Sequence, residues 1–409
     1  MRVLQINVVY KKGSTGKIIY DIHSCLSDQN IDSIVCYGRG YTINEDNVYK
    51  FCSEIESKFY HLLNLFGWLM YAVCPIATRK LINIIKNRQP DLVHIHCING
   101  YCLNIYRLLK FLGKSKIKTI VTHHAEFLYT GSCGHAYECV QFQNKSGCFK
   151  CPILGESTCS LWIDRTNEAW RKMKRAFSYF DETNIQFTAV SPWVADRIKL
   201  SPICNQIRCK SIYNGVDTQV FKPRDHSEVN EIRRNIPQGY RKVILHVTAT
   251  FTTDTNNIKG GYYIKRIAEK MPQYLFVVVA SNVGTVDSLP DNVRLWGTAN
   301  KQSELAALYT MADLTVIASR RETFSMIVAE SLCCGTPVVG FNAGGPESIA
   351  IKEYTSFVSY GDEEQFMSEV ERFAESEWNS DRISTQAMIL YSKEQMTRQY
   401  VSLYKDMIG

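Results

Sequence analysis

Apolar runs long enough to form buried strands alternate along most of the chain with segments whose apolar residues recur at helical spacing. The predicted strands are Val3–Val9, Ser33–Tyr37, Asp91–His96, Lys118–Thr122, Gln186–Val190, Lys242–Thr248, Tyr274–Ala280, Val293–Trp296, Leu314–Ala318 and Pro337–Gly340. The predicted helices include Gly16–Gln29, Ile105–Leu112, Lys259–Lys270 and Ser303–Met311. Such alternation indicates doubly wound parallel sheets with helices on their faces, and hence an α/β fold.

Length and turn signals divide this pattern into two domains. A chain of 409 residues is long for a single hydrophobic core. Asn214 and Gly215 form a strong turn signal, and Pro223 and Pro237 follow it closely. We therefore predict one domain over residues 1–200, a second over 201–385 and a helical segment over 386–409.

The composition is that of an ordinary globular protein. Hydrophobic residues make up 45% of the chain and charged residues 21%, and the net charge of +7 is modest. No block of like charges suggests nucleic acid as a partner. The first ten residues have the pattern of a strand and not of a signal peptide. We therefore expect a cytoplasmic protein in which most of the 15 cysteines are reduced thiols or metal ligands.

One apolar segment has nearly the length of a membrane-spanning helix. Phe59–Ala77 is interrupted only by the polar residues His61 and Asn64. Gly67 and Pro75 break its helical pattern, and a predicted strand follows soon afterwards. We expect a buried or membrane-facing helix within the first domain, and not a true span.

The strongest chemical signal lies between Ser319 and Glu347. Two glutamates, Glu322 and Glu330, are separated by seven residues in a strand–loop–helix–strand–loop pattern. Parallel sheets bind ligands at the carboxyl ends of their strands. Backbone N–H groups at a helix start suit an anionic ligand, and here they belong to Phe324, Ser325 and Met326.

This segment resembles the E-x7-E motif of glycosyltransferase family four, a large retaining family with the GT-B fold. The flanking Ser-Arg-Arg-Glu-Thr-Phe, Ala-Glu-Ser-Leu, Gly-Thr-Pro-Val-Val and Gly-Gly-Pro-Glu fit the family pattern, as does Asn-Gly-Val-Asp before Phe221. The resemblance covers the whole chain and is closest in character to colanic-acid and exopolysaccharide transferases. It implies two Rossmann-like domains facing across a cleft, with a C-terminal helix that returns to the first domain.

The resemblance also implies roles for residues of the second domain. Glu322 contacts hydroxyls of the donor sugar and Glu330 those of the ribose, since a carboxylate accepts hydrogen bonds from two hydroxyls. Lys259, which two glycines follow, corresponds to a lysine that clamps the diphosphate. The arginine that accompanies this lysine in the family is absent. Its expected replacements are Thr252, Thr253, Asn257, Arg320 and Arg321.

In the first domain the family has a glycine-rich loop and a Thr-x-His motif. Gly16 corresponds to the loop, although a plain strand-to-helix turn explains it nearly as well. Thr-His-His ending at His124 matches the motif, which makes His124 the residue that touches the donor sugar. An acid commonly follows this histidine in the family, and here Glu126 lies one place too late. We expect His94 and His96, which alternate on a strand, to be structural.

A cysteine-rich insertion near residues 131–160 contains a C-x2-C pair. Its candidate ligands for a structural zinc are Cys133, Cys139, Cys148 and Cys151, with His135 and Cys159 close by. The spacing of the first pair is not that of a standard zinc ribbon, so reduced buried thiols are an equal alternative. Similar insertions occur in the colanic-acid and exopolysaccharide subgroup. Any zinc would order a loop beside the acceptor and take no part in the chemistry.

The sequence therefore predicts a retaining glycosyltransferase that moves a sugar from a nucleotide-sugar donor to a glycan or lipid-linked acceptor. No Asp-x-Asp occurs, so we expect no catalytic metal and no cofactor for the chemistry. The basic amphipathic stretch Ile105–Leu112 either contacts an anionic membrane or forms a domain helix with a solvated basic face. A GT-B sugar-nucleotide epimerase and a non-catalytic binding or scaffold protein of a polysaccharide complex are the alternatives.

Overall fold

A computed structural model describes residues 1–68, 71–136, 138–155, 160 and 162–409. The chain forms two compact units. The first comprises Met1–Ile212 and Met396–Gly409, and the second comprises Tyr213–Gln395. The sequence predicted the boundary at 200/201 and the start of the returning segment at 386.

The described part of the first unit contains a seven-stranded parallel sheet. Its strands are β1 (Arg2–Asn7), β2 (Asp32–Tyr37), β3 (Val48–Lys50), β4 (Leu92–Ile95), β5 (Lys118–His123), β6 (Ile185–Ala189) and β7 (Cys209–Ser211). They lie in the order β3-β2-β1-β4-β5-β6-β7. The order reverses between β1 and β4, and the carboxyl ends of strands at such a switch point border a ligand-binding crevice.

Helices cover this sheet. They are α1 (Gly13–Asp28), α2 (Glu54–Leu65), α3 (Pro75–Arg88), α4 (Ile105–Lys114), α5 (Phe127–Thr130), α6 (Thr166–Phe177) and α7 (Pro192–Lys199), with a 3-10 turn at Gln141–Gln143. The buried face of α1 packs with residues 396–404, where Tyr400 and Tyr404 are completely buried. These tyrosines belong to the last helix of the chain, so its C-terminal part completes the core of the first unit.

The apolar segment Phe59–Ala77 is not one helix. It begins in α2 and ends in α3, and Gly67 in a left-handed conformation follows α2. Leu69 and Met70 lie outside the described residues. Within the described ranges no helix is long and apolar enough to cross a membrane.

The described part of the second unit contains a six-stranded parallel sheet. Its strands are β8 (Lys242–Phe251), β9 (Tyr274–Val283), β10 (Val293–Gly297), β11 (Leu314–Ile317), β12 (Val338–Phe341) and β13 (Thr355–Val358), in the order β10-β9-β8-β11-β12-β13. Its helices are α8 (His226–Arg234), α9 (Gly261–Lys270), α10 (Gln302–Met311), α11 (Met326–Cys333), α12 (Gly345–Ile349), α13 (Glu363–Glu375) and α14 (Ser380–Tyr391). The helix α15 (Lys393–Ile408) closes the chain.

Two parallel sheets with flanking helices, each with a switch point, confirm the predicted α/β fold of two Rossmann-like domains. All ten predicted strands exist, with ends that differ by up to three residues. Three strands were missed, β3, β7 and β13, because none of them is a continuous apolar run. The switch point of the second sheet lies between β8 and β11, so the loops after these two strands are the place to look for a site.

Candidate active site

Lys259 and Glu322 meet at the switch point of the second sheet. Lys259 lies in the loop after β8 and Glu322 in the loop after β11, 63 residues apart in sequence. The Lys259 Nζ donates a hydrogen bond to Glu322 Oε1 at 2.6 Å. Both side chains remain partly exposed, at 29% and 21%. The site therefore presents a cation and a carboxylate side by side to solvent.

The two glycines after Lys259 bring the protein's own loops together. A Cβ on Gly260, whose φ is +71°, would lie 2.0 Å from the carbonyl oxygen of Ala318. A Cβ on Gly261 would lie 2.4 Å from the carbonyl oxygen of Thr252. Gly260 thus lets the loop after β8 pack against the residue that follows β11, and Gly261 lets the same loop pack on itself.

The turn after β12 holds the backbone of Glu322. The N–H of Glu322 donates to the carbonyl of Ala343 at 3.0 Å, and the N–H of Gly345 donates to the carbonyl of Glu322 at 2.8 Å. The carboxylate of Glu347 accepts hydrogen bonds from the N–H groups of Ala343 and Gly344. The Gly-Gly-Pro-Glu motif thus fixes the position of the loop that carries Glu322.

The helix that carries Glu330 begins in a strained residue. Ser325 has a φ of +79°, which is rare for a residue with a side chain. Its hydroxyl is buried and has no hydrogen-bond partner among the described residues. The helix proper begins at Met326, two residues after the predicted start, and Phe324 is buried beneath it. Strain and an unpaired buried hydroxyl at one residue are typical of a functional position.

Glu330 lies on α11 near Tyr309 of α10. The Tyr309 hydroxyl donates to Glu330 Oε2 at 3.3 Å. Burial and the neighbouring Glu330 carboxylate raise the pKa of Tyr309 well above its usual value. Tyr309 therefore remains a neutral hydrogen-bond donor, and it orients one oxygen of Glu330. No sequence motif pointed to Tyr309, because only the packing of α10 on α11 places it there.

The structure reduces the number of residues that could replace the family's diphosphate-binding arginine. The Thr252 hydroxyl donates to the Thr285 carbonyl at 2.6 Å, and the Thr253 hydroxyl bonds Asp287 at 3.2 Å. The Asn257 side-chain oxygen accepts from the N–H of Lys259 at 2.9 Å. These groups therefore shape the loop. The backbone N–H of Arg320 donates to the Ile258 carbonyl at 2.8 Å, so Arg320 is next to the segment that carries Lys259.

Gly16 lies inside the first unit and not at an open turn. It is buried within the first turn of α1, and a Cβ there would lie 3.1 Å from Val9 Cγ2. Its carbonyl accepts from the N–H of Lys11 at 3.0 Å. Gly13, three residues earlier, has a φ of +66° and open space around its missing Cβ. Of the two glycines, Gly13 is the one whose backbone faces open space.

His124 belongs to a buried cluster of histidines at the ends of β4 and β5. His96 Nδ1 and His124 Nε2 are 3.2 Å apart. His94 bonds Tyr404 and Thr122, both at 2.7 Å, which confirms its structural role. Burial lowers the pKa of His124 to about 4. His124 is therefore neutral near pH 7, when it can donate or accept a hydrogen bond but carries no charge.

Glu126 has a structural role that sequence reasoning did not assign. Its carboxylate is completely buried and forms an ion pair with Arg197 Nε at 2.5 Å. It also accepts from the Tyr129 hydroxyl and from the N–H of Ala136, both at 2.7 Å. Glu126 thus ties the start of the cysteine-rich insertion to α7. In the sequence, this role of Glu126 was indicated only by its position, one place later than the acid that commonly follows the family's histidine.

The candidate zinc ligands are only partly brought together. Cys133 and Cys148 are buried, whereas Cys139 and Cys151 are partly exposed. Burial, followed by the neighbouring Cys139 and Cys151, raises the pKa of Cys148 to about 12. In the described part of the chain no group of three or more His, Cys, Asp or Glu side chains is arranged to hold a metal. Cys159 lies outside the described residues, and the zinc stays a prediction.

Comparisons with known proteins identify the family of the chain. The model of Glycosyltransferase Family 4 matches residues 15–220, and that of Glycosyl transferases group 1 matches residues 287–393. A relative named for colanic acid biosynthesis, the glycosyl transferase WcaC of Escherichia coli (strain K12), is 22% identical over 100% of both chains.

Solved structures share the fold. Sucrose-phosphate synthase from Thermosynechococcus elongatus has a TM-score of 0.69 at 15% identity and covers 100% of this chain and 99% of its own. Anabaena Alr3699/HepE, solved in complex with UDP, has a TM-score of 0.68 at 15% identity over 99% of this chain and 100% of its own. The chain belongs to glycosyltransferase family 4 and is a glycosyltransferase with the GT-B fold.

Proposed function

We propose that the protein transfers a sugar from a nucleotide-sugar donor to a glycan or lipid-linked glycan of a surface polysaccharide, with retention at the anomeric carbon. The pair formed by Lys259 and Glu322 carries this proposal. A nucleotide sugar offers a diphosphate that needs a cation and hydroxyls that need an acceptor, and the pair offers both on adjacent loops. The named relative and the UDP complex of HepE support the same reading.

In the proposed reaction the bond between the anomeric carbon and the diphosphate oxygen breaks. The acceptor oxygen forms its bond on the same face, and its proton passes to a leaving phosphate oxygen. Negative charge builds on the diphosphate, so stabilising that charge is the main electrostatic task. Lys259 does so directly, and Arg320 is our candidate for the second cation. Glu322 holds the sugar through its hydroxyls.

Two further groups hold the nucleotide part of the donor in this proposal. Glu330, oriented by Tyr309, accepts hydrogen bonds from the ribose hydroxyls. The N–H groups and the buried hydroxyl at Ser325 and Met326 contact the diphosphate at the start of α11. The chemistry needs no metal, because the cations are side chains.

The proposed acceptor is a glycan intermediate, either free or lipid-linked. A lipid-linked acceptor requires a cytoplasmic enzyme that contacts the inner face of the membrane peripherally. The exposed basic face of α4 suits such a contact, because its apolar residues are buried in the first unit.

A thermal-shift panel of UDP-, GDP-, ADP- and dTDP-sugars tests the donor site. A ligand at about 100 times its Kd stabilises the native state by roughly 2.7 kcal/mol. We expect one nucleotide class to raise the melting temperature of the wild type and to lose that effect in Glu330→Ala. Tyr309→Phe is the matched control for Glu330→Ala, because it keeps the Glu330 carboxylate and removes only the hydroxyl that orients it. If no nucleotide sugar shifts the melting temperature, the proposal that these residues bind the donor is contradicted.

A further inference from the structure

The helices α4 and α6 of the first unit border a surface groove of about 520 Å³. Cationic and phenolic side chains dominate its walls: Tyr106, Arg107 and Lys110 from α4, and Lys172, Arg175 and Tyr179 from α6 and its end. The apolar residues of α4 face the protein core, among them Leu108, Leu109 and Leu112. The exposed charges therefore point away from the core that stabilises the helix.

Most of these charges have no carboxylate partner. In the described ranges of the chain, no ion pair involves Arg107, Lys110 or Arg175, whereas Lys172 pairs with Glu168 at 3.0 Å. Arg107 lies in the first turn of α4, where the helix dipole disfavours a positive charge. Helix stability therefore does not account for an arginine at this position.

The two tyrosines indicate what the groove attracts. The pKa of Tyr179 is lowered, first by a hydrogen bond from Arg175 and then by the charges of Lys110, Arg175 and Lys114. The ammonium groups of Lys110 and Lys114 each lie 5.6 Å from the centre of its ring. The surroundings of Tyr179 thus favour a negative charge. The Tyr106 hydroxyl is buried without a hydrogen-bond partner among the described residues, which is unfavourable unless a ligand supplies one.

We propose that this groove binds the phosphate group of an anionic ligand. The guanidinium groups of Arg107 and Arg175 suit phosphate because each can donate two parallel hydrogen bonds. Lys110 adds charge, and the Tyr106 hydroxyl adds a neutral donor. The same chemistry fits a phospholipid headgroup and a soluble diphosphate. The inference requires neither donor binding nor sugar transfer.

Two binding assays distinguish the sources of the phosphate. The first titrates the protein with inorganic pyrophosphate in a calorimeter. The second measures cosedimentation with vesicles of phosphatidylcholine, with and without phosphatidylglycerol. Each basic residue near an anionic surface changes binding about fivefold, so we expect Arg107→Ala/Arg175→Ala to bind on the order of 25-fold more weakly. Both side chains are exposed, so the variant is expected to fold.

Control variants show whether the binding measured in these assays takes place in the groove. Lys210→Ala/Arg234→Ala removes two exposed charges elsewhere and is expected to keep the affinity. Tyr106→Phe, which removes only the hydroxyl, is expected to weaken binding without lowering stability. Lys259→Ala controls for pyrophosphate bound at the donor site.

Each result of these assays has a defined meaning. Pyrophosphate binding that the groove variant loses assigns a soluble phosphate ligand, and binding to phosphatidylglycerol vesicles alone assigns a lipid headgroup. The proposal is overturned if the wild type binds neither probe, if the control pair loses as much affinity, or if only Lys259→Ala abolishes binding.

Discussion

Two ion pairs of almost the same length lie in different surroundings. Lys259 and Glu322 are 2.6 Å apart and partly exposed, whereas Arg197 and Glu126 are 2.5 Å apart and the glutamate is completely buried. Glu126 has two further hydrogen-bond donors in addition to its arginine. In the described structure the recorded side-chain bond of Glu322 is the one to Lys259. A buried carboxylate that accepts several hydrogen bonds stabilises the fold, whereas a partly exposed ion pair is available to a ligand.

The buried pair is expected to give the largest effect. Glu126→Ala leaves Arg197, whose side chain is only 13% exposed, without its counter-ion, which costs about 3–5 kcal/mol of unfolding free energy. Urea denaturation followed by circular dichroism measures the loss. Glu322→Ala is the control, because an exposed pair contributes about 0–1 kcal/mol. Equal losses in the two variants would show that exposure does not separate the pairs.

The exposed pair is expected to matter for catalysis instead. Lys259→Ala removes the cation that we propose to contact the leaving diphosphate, and loss of one such group lowers kcat by about 10²–10³-fold. Initial rates of sugar transfer measure this once the donor is identified, and urea denaturation should show nearly unchanged stability. A wild-type rate in the variant would remove Lys259 from the mechanism.

A substitution at Gly260, which follows Lys259, tests how the exposed pair is held in place. Gly260→Ala places a Cβ 2.0 Å from the Ala318 carbonyl oxygen, so the loops must separate at a cost of about 1–3 kcal/mol. We expect lower stability and weaker donor binding together, as measured by thermal shift. Gly13→Ala is the matched control, because Gly13 also has a positive φ but has open space around it. Its cost is expected to be about 1–2 kcal/mol, from backbone strain alone.

The buried histidines predict a pH dependence of stability. Burial, and to a smaller extent His124, lowers the pKa of His123 to about 3, and burial lowers that of His124 to about 4. Histidines with a depressed native pKa bind protons more readily in the unfolded chain. Stability is therefore complete above about pH 6.5 and falls as the pH drops towards 4, by about 1.4 kcal/mol per histidine and pH unit.

Urea denaturation at several pH values measures this slope. His123→Phe is expected to flatten it, whereas the exposed His61→Gln is expected to leave it unchanged. An unchanged slope in His123→Phe would exclude His123 as a cause of the pH dependence.

Pattern and motif in the chain were enough to predict several features. Ten of the thirteen strands of the described structure were predicted because continuous apolar runs mark buried parallel strands. The roles of Glu322 and Lys259 came from motif resemblance and stay predictions, and the structure shows that the two side chains lie 2.6 Å apart. The strands β3, β7 and β13 were missed because none of them is a continuous apolar run.

The sequence by itself determined the alternation of strands and helices, the family and the residues of the donor motif, since these are local properties of the chain. Only the tertiary structure decided which distant groups meet. It placed Tyr309 against Glu330, buried Glu126 with Arg197, packed Gly260 against Ala318, and set the cations of α4 beside those of α6. These outcomes depend on burial and on contacts between remote segments, which a local pattern does not contain.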